Sequence, residues 1–102
     1  MFTSRFFNMG QIFITQGIHA AMADNNRFAL EVSLSLKRYS VKDWGDLSED
    51  DKQLNNDALG YPDDLNLLAA YQTSLGKIHI ITNRISENPG DNVTTVCFPM
   101  ER

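Results

Sequence analysis

Apolar positions change their spacing along the chain, and each change marks a new element. Gln11-Ile12-Phe13-Ile14-Thr15 is rich in β-branched and aromatic side chains and predicts a short strand. Thr15 then stands where a helix N-cap belongs, and Ile18, Ala21 and Met22 share one face of a helix over 16–24. Asn25-Asn26 stops it. From Arg27 to Tyr39 two periods overlap. Phe28, Leu30, Val32, Leu34 and Leu36 alternate as a half-buried strand would. Phe28, Val32, Leu36 and Tyr39 also form a helical stripe, and the length and the helix formers Ala29, Leu30, Glu31, Leu34, Leu36, Lys37 and Arg38 favour the helix. Lys37 and Arg38 fall in its last turn, where cations suit the helix dipole.

The stretch Asp43 to Lys52 holds the only tryptophan and joins this basic helix to an acidic one. Trp44 is the largest apolar surface in the chain, and its N–H needs a partner once buried. Gly45 supplies a turn, and Asp46 or Ser48 can cap the following helix. We therefore expect Trp44 and Asp46 to be structural anchors. Ser48 to Leu59 predicts a short polar helix with little apolar surface beyond Leu54, Ala58 and Leu59, ended by Gly60-Tyr61-Pro62. Leu67 to Thr73, Lys77 to Asn83 and Val93 to Phe98 predict three strands joined by short turns. The expected fold is α+β: an antiparallel sheet, made of this C-terminal meander and the short N-terminal strand, with three helices packed on one face. Residues 1–102 form one domain in this reading, with 1–9 a loosely held arm whose Phe6 and Phe7 are available to pack.

Composition narrows the classes. The hydrophobic share of 42% and charged share of 22% are those of an ordinary globular chain. Cys97 stands alone, which excludes a disulfide framework within one chain and fits a reducing cytoplasm, the expected location. No run approaches the roughly 18 apolar residues of a membrane span. Asn8, Gly10, Gln11, Thr15 and Gln16 interrupt the only stretch resembling a signal peptide, so none is expected. Charge changes the picture more. Asp43, Asp46, Glu49, Asp50, Asp51, Asp57, Asp63 and Asp64 face one base, Lys52, so this block carries −7 within a chain of net −4. Such a block repels nucleic acid and favours a partner with a basic surface. Asp50, Asp51, Asp57, Asp63 and Asp64 are the candidate binding residues; a solvated acidic face is the plain alternative.

Other chemistry is thin. His19 and His79 lie in different segments, without HxxxH, HxH or nucleophile-elbow spacing. Cys97 sits in an apolar strand, where a free thiol ordinarily packs as a small hydrophobe. The acids lack the calcium-loop pattern, and capping explains several of them. No catalytic residues, metal or cofactor are expected. Arg27, Lys37, Arg38 and Lys42 beside a −7 block make no nucleic-acid footprint.

Gly10-Gln11-Ile12, Thr15, Gly17, Asp43 to Leu47, Asp50 to Lys52, Ala70-Tyr71, Lys77 to Thr82, Val93 to Val96 and Pro99 together carry a resemblance over nearly the whole chain. The chain resembles a family of small bacterial proteins, common on plasmids, phages and integrated elements and often mislabelled as a type I restriction subunit, a label their small size does not support. It departs from them at an inserted turn over Glu87 to Asn92, and at Lys42, where they carry glycine. The resemblance implies a mobile-element setting. Combined with the charge map, it gives the expected function: an inhibitor of a host nucleic-acid-targeting defence nuclease, of the anti-CRISPR or anti-restriction type. An antitoxin-like or regulatory partner of another small protein, and a small hydrolase or nuclease using His79 and an acid, are the alternatives.

Overall fold

The structure is a computed structural model and describes residues 3–101. Gln11–Ile14 forms the first strand, β1, and Thr15 caps helix α1 (Gln16–Asp24) by accepting the Ile18 N–H. Asn25 ends α1 and caps α2 (Asn26–Ser40), accepting the Phe28 N–H at 3.0 Å. The ambiguous segment 27–39 is thus helical. Its period of 3.6 buries Phe28, Val32, Ser35, Leu36 and Tyr39 and leaves Leu30 and Leu34 exposed, which strict alternation would not. Ser48 caps α3 (Glu49–Ala58), with Asp51 N–H donating to its hydroxyl at 3.1 Å. The meander follows as β2 (Asn66–Thr73), β3 (Gly76–Asn83) and β4 (Val93–Cys97), with single 3-10 turns at Pro62–Asp64, Pro89–Asp91 and Pro99–Glu101.

The sheet runs β1-β4-β3-β2 and is mixed, which corrects the expected antiparallel sheet. β2, β3 and β4 pair antiparallel, as the short turns require. β1 pairs parallel to β4, with Gln11 opposite Val93 and Ile14 opposite Val96. No turn joins these two strands. Three helices and two strands separate them in sequence, so nothing local fixes their relative direction.

The helices also divide differently from expectation. α1 and α2 cover one face of the sheet and bury Ile18, Phe28, Val32, Leu36 and Tyr39 with Leu67, Ala69, Tyr71, Ile78, Ile80 and Val96. α3 lies instead along the outer edge of β2, where Asn55 bonds to Leu68, and its small apolar surface reaches the core only through Ala58 and the following Leu59. On the opposite face of the sheet Ala70 and Cys97 are buried and Leu68, His79 and Ile81 half-buried. Of the arm expected over 1–9, residues 1–2 lie outside the described residues. The rest is tied down: Ser4 Oγ donates to Ser40 O at 2.6 Å, Phe7 packs on Tyr39 and Trp44, and Met9 is buried.

Candidate functional site

Trp44 and its neighbours set the position of the acidic helix. The indole is 2% exposed, edge-on to Tyr39 and tilted against Phe7, and its Nε1 donates to Asn56 Oδ1 of α3 at 3.0 Å. Before it, Arg38 holds Asp43 with two hydrogen bonds of 2.7 and 3.2 Å, and Tyr71 Oη donates to the Asp43 carbonyl at 2.6 Å. The guanidinium keeps the Asp43 carboxyl below its usual range, and Asp43 in turn raises Arg38. After it, the chain runs beside β2: Ala70 N–H donates to Trp44 O, and Asp46 N–H to Ala70 O at 2.7 Å. Gly45 makes this approach possible. Its φ is +77°, and a Cβ there would lie 1.9 Å from Ala70 O. Asp46 is therefore held through its backbone, and Ser48, not Asp46, is the cap of α3.

One side chain completes the edge. Asn55, buried on α3, donates from Nδ2 to Leu68 O at 2.8 Å and accepts the Leu68 N–H on Oδ1 at 3.2 Å. Its amide thus substitutes for a neighbouring strand. Sequence reading missed this residue, since an asparagine inside a polar helix carries no signal of a strand beside it.

The acidic block splits into paired and unpaired groups. Asp43 pairs with Arg38, Glu49 with Lys52 at 3.5 Å, and Asp63 with Arg84 at 3.0 Å. Asp46, Asp50, Asp51, Asp57 and Asp64 are exposed and make no ion pair among the described residues. Of the five candidate binding residues, the structure puts Asp50, Asp51 and Asp57 on α3, and Asp63 and Asp64 on the 3-10 turn after it. Asp50, Leu54 and Asp57 share one stripe, with Leu54 65% exposed between the two carboxylates. Asp57 also accepts from Gln53 Nε2 at 2.8 Å.

Beside this stripe lies a groove of about 310 Å³ between α3 and the sheet face that carries Leu68 and Ile81. Leu47, Leu54, Leu68 and Ile81 give it an apolar lining, and Asp51, Asn55 and Asn66 add the polar groups. An apolar floor with a carboxylate on its margin suits a partner segment that combines an apolar anchor with cations.

No family model matches this chain, and neither curated proteins nor solved structures include one similar to it.

The remaining candidates stand apart from the groove. His19 is exposed on α1, and His79 is half-buried on β3, opposite Cys97 of β4 in the strand register. Cys97 is buried, and among the described residues no group of three His, Cys, Asp or Glu is placed to hold a metal. Two carboxylates outside the block have structural partners. Glu31 takes the Ser74 hydroxyl at 2.6 Å and its N–H, and Glu101 takes the Thr15 hydroxyl at 2.6 Å with the N–H groups of Phe98 and Gly17. Those hydrogen bonds hold both carboxyls below the ordinary range.

Proposed function

We propose that the protein is a non-enzymatic inhibitor that binds a basic, nucleic-acid-binding surface of a host defence nuclease through α3 and the turn after it. The observation that carries this reading is the juxtaposition of unpaired carboxylates with an apolar groove. Asp50, Asp51, Asp57 and Asp64 stay exposed and make no ion pair among the described residues; Asp51 lines the groove with Leu47, Leu54, Leu68 and Ile81, and Asp50 and Asp57 flank Leu54 on α3. Unpaired charges steer a basic partner into encounter, and an apolar anchor slows its departure. The resemblance to mobile-element proteins supports the same setting, since such elements gain from disarming nucleases that cut foreign nucleic acid.

The test is inhibition of cleavage by purified restriction and RNA-guided nucleases of bacterial hosts. Wild-type protein should protect a DNA substrate from at least one of them, less well as salt rises. Excess non-cleavable DNA should compete with it for the enzyme. A variant combining Asp50→Asn, Asp51→Asn and Asp57→Lys should lose most of the protection while folding normally. Protection that survives this variant, or is absent for every nuclease tried, overturns the reading.

A further inference from the structure

The two edges of the sheet are treated in opposite ways. At the β2 edge, Asn55 occupies the Leu68 amide and carbonyl, and the Trp44–Asp46 segment occupies those of Ala70. At the β1 edge nothing does so among the described residues. Gln11 and Thr15 donate inward, to Asn92 O at 2.9 Å and Val96 O at 3.1 Å. Backbone groups alternate in direction along a parallel strand, so the N–H and C=O groups of Ile12 and Ile14 point outward. Of the devices that usually blunt an edge, β1 has shortness but lacks charge and proline. Gln11–Ile14 has no proline, and from Phe6 to Ala23 the chain has no Asp, Glu, Lys or Arg. Phe13 is 47% exposed and Ile14 37%.

We infer that β1 pairs with β1 of a second copy of this chain, antiparallel about a two-fold axis, to form a continuous eight-stranded sheet. Centring the axis on Phe13 sets Ile12 opposite Ile14 of the other copy. All four outward backbone groups of each strand segment then pair across the axis. Phe13 meets its own counterpart at the closely spaced, non-hydrogen-bonded position, where an aromatic pair is favourable. Charge selects a second copy as the occupant. An edge strand without charged side chains has no attraction for a charged strand, whereas two such strands meet without repulsion between them. The acidic block sits at the far edge, beyond β4, β3 and β2. Seven strand spacings separate the two β2 strands of such a dimer, about 34 Å at about 4.8 Å each. That is well beyond the Debye length of about 10 Å at 0.1 M salt. A four-residue strand buries little surface, so the dimer should depend on concentration.

Sedimentation of the full chain over a wide concentration range tests this. Wild type should pass from monomer to dimer and no further, because a two-fold pairing closes. Ile14→Pro removes an outward N–H and leaves the inward bonds of Gln11 and Thr15 in place, so it should remain monomeric. Phe13→Glu, at an exposed side chain, should do the same by setting two carboxylates face to face, and it guards against misfolding of the proline variant. In wild type, exchange of the Ile12 and Ile14 amides should slow as concentration rises. A wild type that stays monomeric at its solubility limit overturns the inference. So do open-ended oligomers, a dimer that persists in folded Phe13→Glu, or exchange at Ile12 and Ile14 that ignores concentration.

Discussion

Three hydroxyls cross the core in one direction. Thr94 Oγ1 donates to Met9 O at 2.6 Å, so it must accept from Thr82 at 2.7 Å, and Thr82 must accept from Tyr39 Oη at 2.6 Å. All three side chains are fully buried, and burial raises the Tyr39 hydroxyl well above its ordinary pKa. Thr82→Val keeps the shape but strands the Tyr39 O–H, and it should cost about 1–3 kcal/mol in urea denaturation. Tyr39→Phe with Thr82→Val should restore part of that, since no buried donor is then left over. Trp44→Ala removes the indole from Phe7 and Tyr39 and should cost about 3–5 kcal/mol, leaving a marginal domain largely unfolded. A melting temperature within a few degrees of wild type would show that the indole holds little. Glu101 gives a pH-dependent counterpart. Its folded pKa is lowered, so its contribution is present above the ordinary carboxylate pKa and is lost as pH falls through the folded value. Glu101→Gln should therefore flatten the acid side of a melting-temperature profile, while changing its neutral part by a constant amount. Trp44 was legible in the sequence because it is unique and large. The threonines were not, because a threonine in a strand reads the same whether it faces solvent or a buried partner.

α3 shows what local pattern can and cannot give. Its bounds follow from Ser48 as a cap and from the glycine and proline beyond its end, and the structure matches them within a residue or so. Its place was not legible. Apolar content predicts how strongly a helix packs, not which backbone a single amide will meet, and Asn55 locks α3 to Leu68 while Asn56 ties it to Trp44. The same limit hid the direction of β1 and therefore the mixed sheet, since a pairing across most of the chain leaves no trace in either strand's own period. For the candidate site, the acids were plain in the sequence. The groove that gives them a neighbour was not, because Leu47, Leu54, Leu68 and Ile81 come from four separate segments. Asn55→Ala should expose the Leu68 N–H and C=O and cost about 1–3 kcal/mol. Hydrogen exchange should quicken at Leu68 and along α3 before it does in β3. Uniform quickening across the domain would mean that α3 is not separately held by this amide.

Across the molecule, charge is the property with consequences at every interface, and salt separates them by sign. Five acids of the block have no ion pair among the described residues, so their mutual repulsion works against the folded domain. The four ion pairs among the described residues, three of them made by Asp43, Glu49 and Asp63 of the block, are mostly exposed, and such pairs contribute little. Raising sodium chloride from about 10 to about 150 mM shortens the reach of all exposed charges, and it should raise the melting temperature by a small amount. Capture of a basic partner by the same acids should weaken over the same interval, chiefly through slower association. The β1 pairing, between neutral strands with the acids far apart, should hold or strengthen slightly. Measured on one preparation, these three responses assign each surface. If partner affinity rises with salt, the acids are only a solvated face, and the contact is apolar. If the dimer weakens with salt, charged groups cross its interface and the pairing lies elsewhere than β1. If the melting temperature falls, the ion pairs of Asp43, Glu49 and Asp63 outweigh the repulsion, and the five unpaired carboxylates are too far apart to act as one charged face.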